Sequence, residues 1–161
     1  MSRAAMVLVF VFGVVTNCEA AASKFVWTLD RVGGELILRG IDVIPGDDGV
    51  DTAVRITCIG KKLQLGIGAD TSIGKGEHEF VSVDAIAGTV VLKVNGTSER
   101  SKNAEMTGAN ELVKSIDAVD PLIKLMLVER KITFREASGK KFSVPTSGFA
   151  PRFAKLKSAC A

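Results

Sequence analysis

Two short runs set the pattern of the chain. Val54, Ile56 and Cys58 alternate with Arg55 and Thr57, and Leu63, Leu65 and Ile67 alternate with Gln64 and Gly66. A period of two puts each apolar set on one side of a strand. With Gly60-Lys61-Lys62 between them, the runs predict a hairpin whose apolar sides share the core. Weaker alternation over residues 25–29 predicts a first or edge strand carrying the only Trp, Trp27, and Gly33-Gly34 ends it. Residues 36–44 read as a longer strand with Gly40 marking a bulge or kink, and residues 45–49 read as a turn. Residues 79–83 and 89–94 follow as two more strands. Asn95-Gly96 reads as a hairpin turn, because both residues tolerate the positive φ of a type I′ turn, and a further strand over 97–102 follows it.

From Asn110 the period changes. Leu112, Val113, Ile116 and Val119 fall on one helical face, Asn110 is placed to cap it, and Pro121 forbids its continuation. Residues 124–130 and 132–134 return to strand, Ser138-Gly139-Lys140 turns, and 142–144 is the last strand. Phe149, Phe153, Leu156 and Cys160 then recur at helical spacing, with Pro151 in the first turn, where its missing amide costs little. A helix this short depends on tertiary packing. The expectation is a mainly β fold, an antiparallel β-sandwich or half-open barrel of about eight strands with two short helices.

The first residues stand apart from that domain. Arg3 gives a positive start, residues 6–15 are apolar except for Gly13, and Ala20-Ala21-Ala22 offers a cleavage site. Residues 1–22 therefore read as a secretory signal peptide, too short to span a bilayer, and 23–161 as one β-rich domain with no transmembrane span. Removal of Cys18 leaves two cysteines, Cys58 and Cys160, which pair in an oxidising compartment and tether the last helix to the sheet. Two unpaired buried thiols are the other reading of the same count. Lipidation at Cys18 is a second option for the leader, although Asn17 is not the small residue that lipoprotein signals prefer before the cysteine.

The composition is that of an ordinary globular protein, 47% hydrophobic and 24% charged, with Val, Ile and Thr favouring sheet. Charge changes the picture more. Residues 121–161 hold nine Lys and Arg against two acids, a net of +7, while residues 24–120 hold eleven against fifteen, a net of −4. Lys140, Lys141, Arg152, Lys155 and Lys157 lie around the terminal helix, and such a set suits an anionic lipid, an acidic glycan or an acidic protein. Internal compensation and a helix-terminus interaction of Lys155 and Lys157 account for the same charges without a partner. Nucleic acid is not expected, since no stacking aromatics interleave the cations.

Other motifs are weaker. The loop GIGADTSIGKGE lacks Walker spacing, because Gly68 is one position too early for Gly74-Lys75 and Gly76 replaces the hydroxyl residue. His78 is the only histidine and stands between Glu77 and Glu79, on a strand start where alternate residues point apart. No G-x-S-x-G or triad signature accompanies it. Asp47, Asp48 and Asp51 crowd a turn but do not match an EF-hand loop, and Asn95-Gly96-Thr97 is formally a glycosylation sequon. No cofactor, metal site or catalytic centre is expected.

The segment Val54-Arg55-Ile56-Thr57-Cys58 to Leu63-Gln64-Leu65, together with Phe142-Ser143-Val144, Gly148-Phe149, Leu156 and Ala159-Cys160, resembles small exported bacterial proteins. These are the type VI secretion-associated periplasmic proteins of the VasI (TagO) kind, with a looser similarity, through Phe25-Val26-Trp27 and the terminal Gly-Phe helix, to the invasion-associated locus B proteins. The resemblance implies a β-rich accessory protein, periplasmic or secreted, with a structural Cys58–Cys160 disulfide and no catalytic residue. The resulting expectation is a non-enzymatic envelope-binding protein that engages a protein or an anionic glycan or lipid surface. A secreted inhibitor of a lysozyme or protease, presenting Ser72 and Lys75 on the glycine-rich loop, is the alternative. A hydrolase built around His78 is a third.

Overall fold

The computed structural model describes residues 24–43, 50–68, 73–100 and 110–161, with backbone only at 50 and 51. The expected signal peptide with Cys18, the turn at 45–49 with Asp47 and Asp48, and Ser72 lie outside the described residues. In chain order the elements are β1 (Lys24–Val32), β2 (Glu35–Val43), β3 (Val50–Ile59), β4 (Lys62–Ile67), β5 (Phe80–Ala87), β6 (Val90–Arg100), β7 (Asn110–Ile116), α1 (Pro121–Val128), β8 (Lys131–Glu136), β9 (Lys141–Pro145) and α2 (Phe149–Cys160). The nine strands form one antiparallel sheet in the order β1-β2-β3-β4-β7-β6-β5-β8-β9, which does not close into a barrel. It nevertheless curls far enough for the Trp27 indole in β1 to donate a hydrogen bond to the Pro145 carbonyl in β9.

Alternation fixes which side faces in. Leu38, Ile56, Leu65, Leu112, Ala85 and Phe134, drawn from β2 across to β8, are all fully buried in one core. The expected β3–β4 hairpin is present, with Ile56 opposite Leu65 and Cys58 opposite Leu63, and Lys62 already belongs to β4. The irregularity expected at Gly40 is a register shift between Gly40 and Ile41. The helix expected over 149–160 is α2, and Phe149, Phe153, Leu156 and Cys160 form its buried face.

Three local expectations are corrected. Asn95-Gly96 is not a turn: both residues lie inside β6, opposite Ser82 and Val81, and the hairpin turns at Gly88-Thr89 instead. Gly96 is needed for a close approach, since a Cβ there would clash with the Val113 carbonyl oxygen and lie 2.7 Å from Leu112 Cδ2. Residues 110–116 form a strand, not a helix. Leu112 and Val113 are buried on opposite faces of β7, and burial on both sides breaks the period of two. The helix comes later, over residues read as strand. Pro121 opens α1, and the Asp120 carboxylate accepts the Leu122 amide hydrogen as its cap.

On the outer face, Arg55 and Glu111 make a buried ion pair. Arg55 Nε donates to Glu111 Oε1 at 2.9 Å, Nη2 donates to the same oxygen, and Nη1 donates to Thr57 Oγ1 at 3.0 Å. Gly66 stands opposite Arg55 in the ladder and leaves the space between them open. A Cβ at Gly66 would lie 2.7 Å from Glu111 Oε2 and 2.8 Å from Arg55 Nε.

Candidate functional site

Because every neighbour is antiparallel, turns alternate between the two ends of the sheet. Gly33-Gly34, Gly60-Lys61, Gly88-Thr89, α1 and the 146–148 connection fall at one end, termed here the helix end. The Ser138-Gly139 turn and the loop before β5 fall at the far end.

Helix α2 is fixed from both of its termini. At its start, Thr146 donates its amide to the Arg130 carbonyl and its hydroxyl to the Glu129 carbonyl. The Phe149 ring then packs against Trp27 with centroids 4.9 Å apart, and against Phe153 at 5.3 Å. At its end, Cys160 is joined to Cys58 of β3 in a disulfide. That bridge closes a span of 102 residues and fits an oxidising compartment. No helix among the described residues is long and apolar enough to cross a membrane.

With its apolar face fixed inward, α2 must turn its cations outward. Arg152, Lys155 and Lys157 are all exposed. Arg152 and Lys155 flank one groove of about 410 Å³ with Leu29 and Pro151, and Arg152 Nη1 donates to the Gly148 carbonyl at 3.0 Å. Lys157 lines a different groove of about 390 Å³ together with Lys61, Lys62, Ile116, Ala118 and Asp117. Lys140 and Lys141 are not beside the helix. They sit at the far end, and four strand rises, about 13 Å, separate Lys141 from Pro145, where the chain leads into α2.

Lys61 and Lys62 escaped the sequence reading, which took them as turn residues only. A signal was available, since Lys61 lies three residues after Cys58 and Lys157 three before Cys160. Any bridge between those cysteines brings the two lysines to one place.

The glycine-rich segment is anchored on both sides of Lys75. Ile73 is buried and its amide donates to the Asn110 carbonyl, while the Ser98 hydroxyl lies 2.9 Å from the Ile73 carbonyl oxygen and 2.7 Å from that of Gly76. The Lys75 amide donates to the Glu79 carboxylate, and its side chain is exposed. His78 is exposed in the next turn with φ of 63°, and its amide donates to the Ser98 carbonyl. Among the described residues no three His, Cys, Asp or Glu side chains converge as metal ligands.

No family model, curated protein or solved structure matches the chain.

Proposed function

We propose that this chain is an exported, non-enzymatic binding protein of the bacterial envelope, which engages an anionic partner through the cations carried by α2. The observation that carries the reading is the bridged terminal helix. Its buried face and its disulfide hold Arg152, Lys155 and Lys157 outward on a fixed scaffold. Cations carried on a fixed helix give an anionic partner both attraction and orientation, with the backbone share of the ordering cost already met. The disulfide supports a periplasmic or secreted location, as does the signal-like leader in the sequence. The resemblance to secretion-associated periplasmic proteins points the same way.

The test is capture from an envelope extract on immobilised protein. Wild type should retain an envelope component that an Arg152→Glu, Lys155→Glu, Lys157→Glu variant loses; equal retention by both contradicts the reading.

A specific observation favours inhibition of a hydrolase as a second reading. Lys75 projects from a short segment pinned by Ile73 and Ser98, which is how a rigid scaffold presents an inhibitory side chain. Assays against a lysozyme and a serine protease decide it, and full enzyme activity at micromolar protein removes it.

A further inference from the structure

We propose that the helix end of the sheet docks on an anionic phospholipid surface, with Lys61, Lys62 and Lys157 taking phosphate headgroups and Val119 entering the headgroup boundary beside them. The proposal rests on the envelope-binding reading above and names its partner class.

Exposed aliphatic side chains are the first observation. Among the described residues eight large hydrophobics are exposed, and six of them, Val32, Val90, Val91, Val119, Leu127 and Val128, belong to turns, strand ends or helix termini at the helix end. Val119 is 62% exposed and Val128 76%. Exposed singly, such groups need no partner; it is their placement at one end, beside the cations there, that fits an apolar acceptor with an anionic rim.

Charge is the second. Arg31, Lys61, Lys62, Lys124, Lys131 and Lys157 are exposed at the same end. The acids there are Glu35, Asp117, Asp120 and Glu129, and Asp120 is buried and bonded to Lys114 Nζ at 2.7 Å. Cations therefore predominate around the aliphatic tips. A cationic rim beside apolar tips is the chemistry that binds an anionic leaflet, where headgroups take the charge and the acyl boundary takes the aliphatics.

The groove joins the two observations at one spot. Lys61, Lys62 and Lys157 surround about 390 Å³, enough for a phosphate headgroup, and Ala118 on its wall is the neighbour of Val119. Asp117 lines the same groove, and its carboxylate accepts the Val119 amide hydrogen at 2.9 Å, which holds the turn presenting that side chain. The tips stand on several separate turns. A protein interface needs one continuous complementary patch, whereas a fluid leaflet accommodates separated insertions.

The experiment uses the full chain expressed with export and recovered as the cell processes it. Flotation is measured with vesicles of phosphatidylcholine alone and with vesicles in which a third of the lipid is phosphatidylglycerol. Wild type should float with the anionic vesicles only, and less so as salt is added. At about fivefold per lysine, Lys61→Glu, Lys62→Glu, Lys157→Glu should weaken binding by about a hundredfold or more, and Val119→Asp by about tenfold. An unchanged disulfide and near-ultraviolet circular dichroism spectrum show that each variant is folded. Equal binding to both vesicle types, or by wild type and the triple variant, overturns the proposal. If envelope capture through α2 persists in that case, the partner is an acidic protein or glycan and only the lipid assignment falls. If capture fails as well, both readings fall.

Discussion

The indole Nε1–H of Trp27 donates to the carbonyl oxygen of Pro145 at 2.8 Å, joining the first strand to the last across 118 residues. No ladder runs between these two edge strands, so the curl of the sheet is held by side chains: this hydrogen bond, the Trp27–Phe149 contact and the core beneath. Trp27→Phe keeps a ring against Phe149 but leaves the Pro145 carbonyl without its donor. We expect a loss of about 1–3 kcal/mol, read from the urea midpoint with the disulfide intact. An unchanged midpoint would show that the curl does not depend on the edge-to-edge bond.

The buried pair of Arg55 and Glu111 predicts a large effect from either partner alone. Glu111→Ala strands the guanidinium in a site where Arg55 is 3% exposed, at a cost of about 3–5 kcal/mol. Arg55→Met with Glu111→Leu removes both charges and should be much less damaging than the single change. Gly66→Ala should destabilise by about 1–3 kcal/mol in the wild type, because its Cβ meets both charged side chains. In the apolar double variant its cost should change, which a double-mutant cycle measures. Strict additivity would place Gly66 outside the pair's environment.

Acid should act in part through Asp30. The hydrogen bond from Arg39 holds its carboxyl below the ordinary carboxylate value, helped by a second bond from Thr28. A carboxyl with a lowered folded-state pKa stabilises fully above its unfolded value, and that contribution disappears as pH falls through the folded value. Asp30→Asn should therefore narrow the gap between urea midpoints measured at neutral pH and below the ordinary carboxylate range. Because the pair is partly solvated, the change is small, and added salt reduces it further. A gap identical in wild type and variant contradicts this assignment.

How much was legible in the sequence depended on how many faces each element buries. β3 and β4 keep the period of two, and α2 keeps one apolar face, so the hairpin and the terminal helix were readable in kind and in the faces they bury. β7 buries Leu112 on one side and Val113 on the other, and the resulting spacing imitates a helix. α1 hid for the converse reason. Leu122, Ile123 and Met126 are its buried face, but Leu127 and Val128 are apolar and exposed, which blurs the stripe into a strand-like run. Asn95-Gly96 carries turn chemistry in its letters, yet Gly96 serves the approach of β7, a tertiary demand that local propensity cannot express. Of the candidate site, the cations on α2 were visible as a charge excess. Their partition into two grooves follows from the helix phase, and Lys61 and Lys62 join only once the cysteines are known to meet.

The bridge between β3 and α2 is the point on which fold, compartment and site converge, since it seats the helix and brings Lys61 to Lys157. In the chain-entropy description a loop of this length contributes about 4–5 kcal/mol, so Cys58→Ala, Cys160→Ala should lower the urea stability by that order. The most direct measurement is intact mass after treating the protein, recovered from cells without reductant and then denatured, with a thiol-alkylating reagent. The account predicts no adduct on Cys58 or Cys160 until reductant is added, and then one on each. Two adducts without reductant would contradict it.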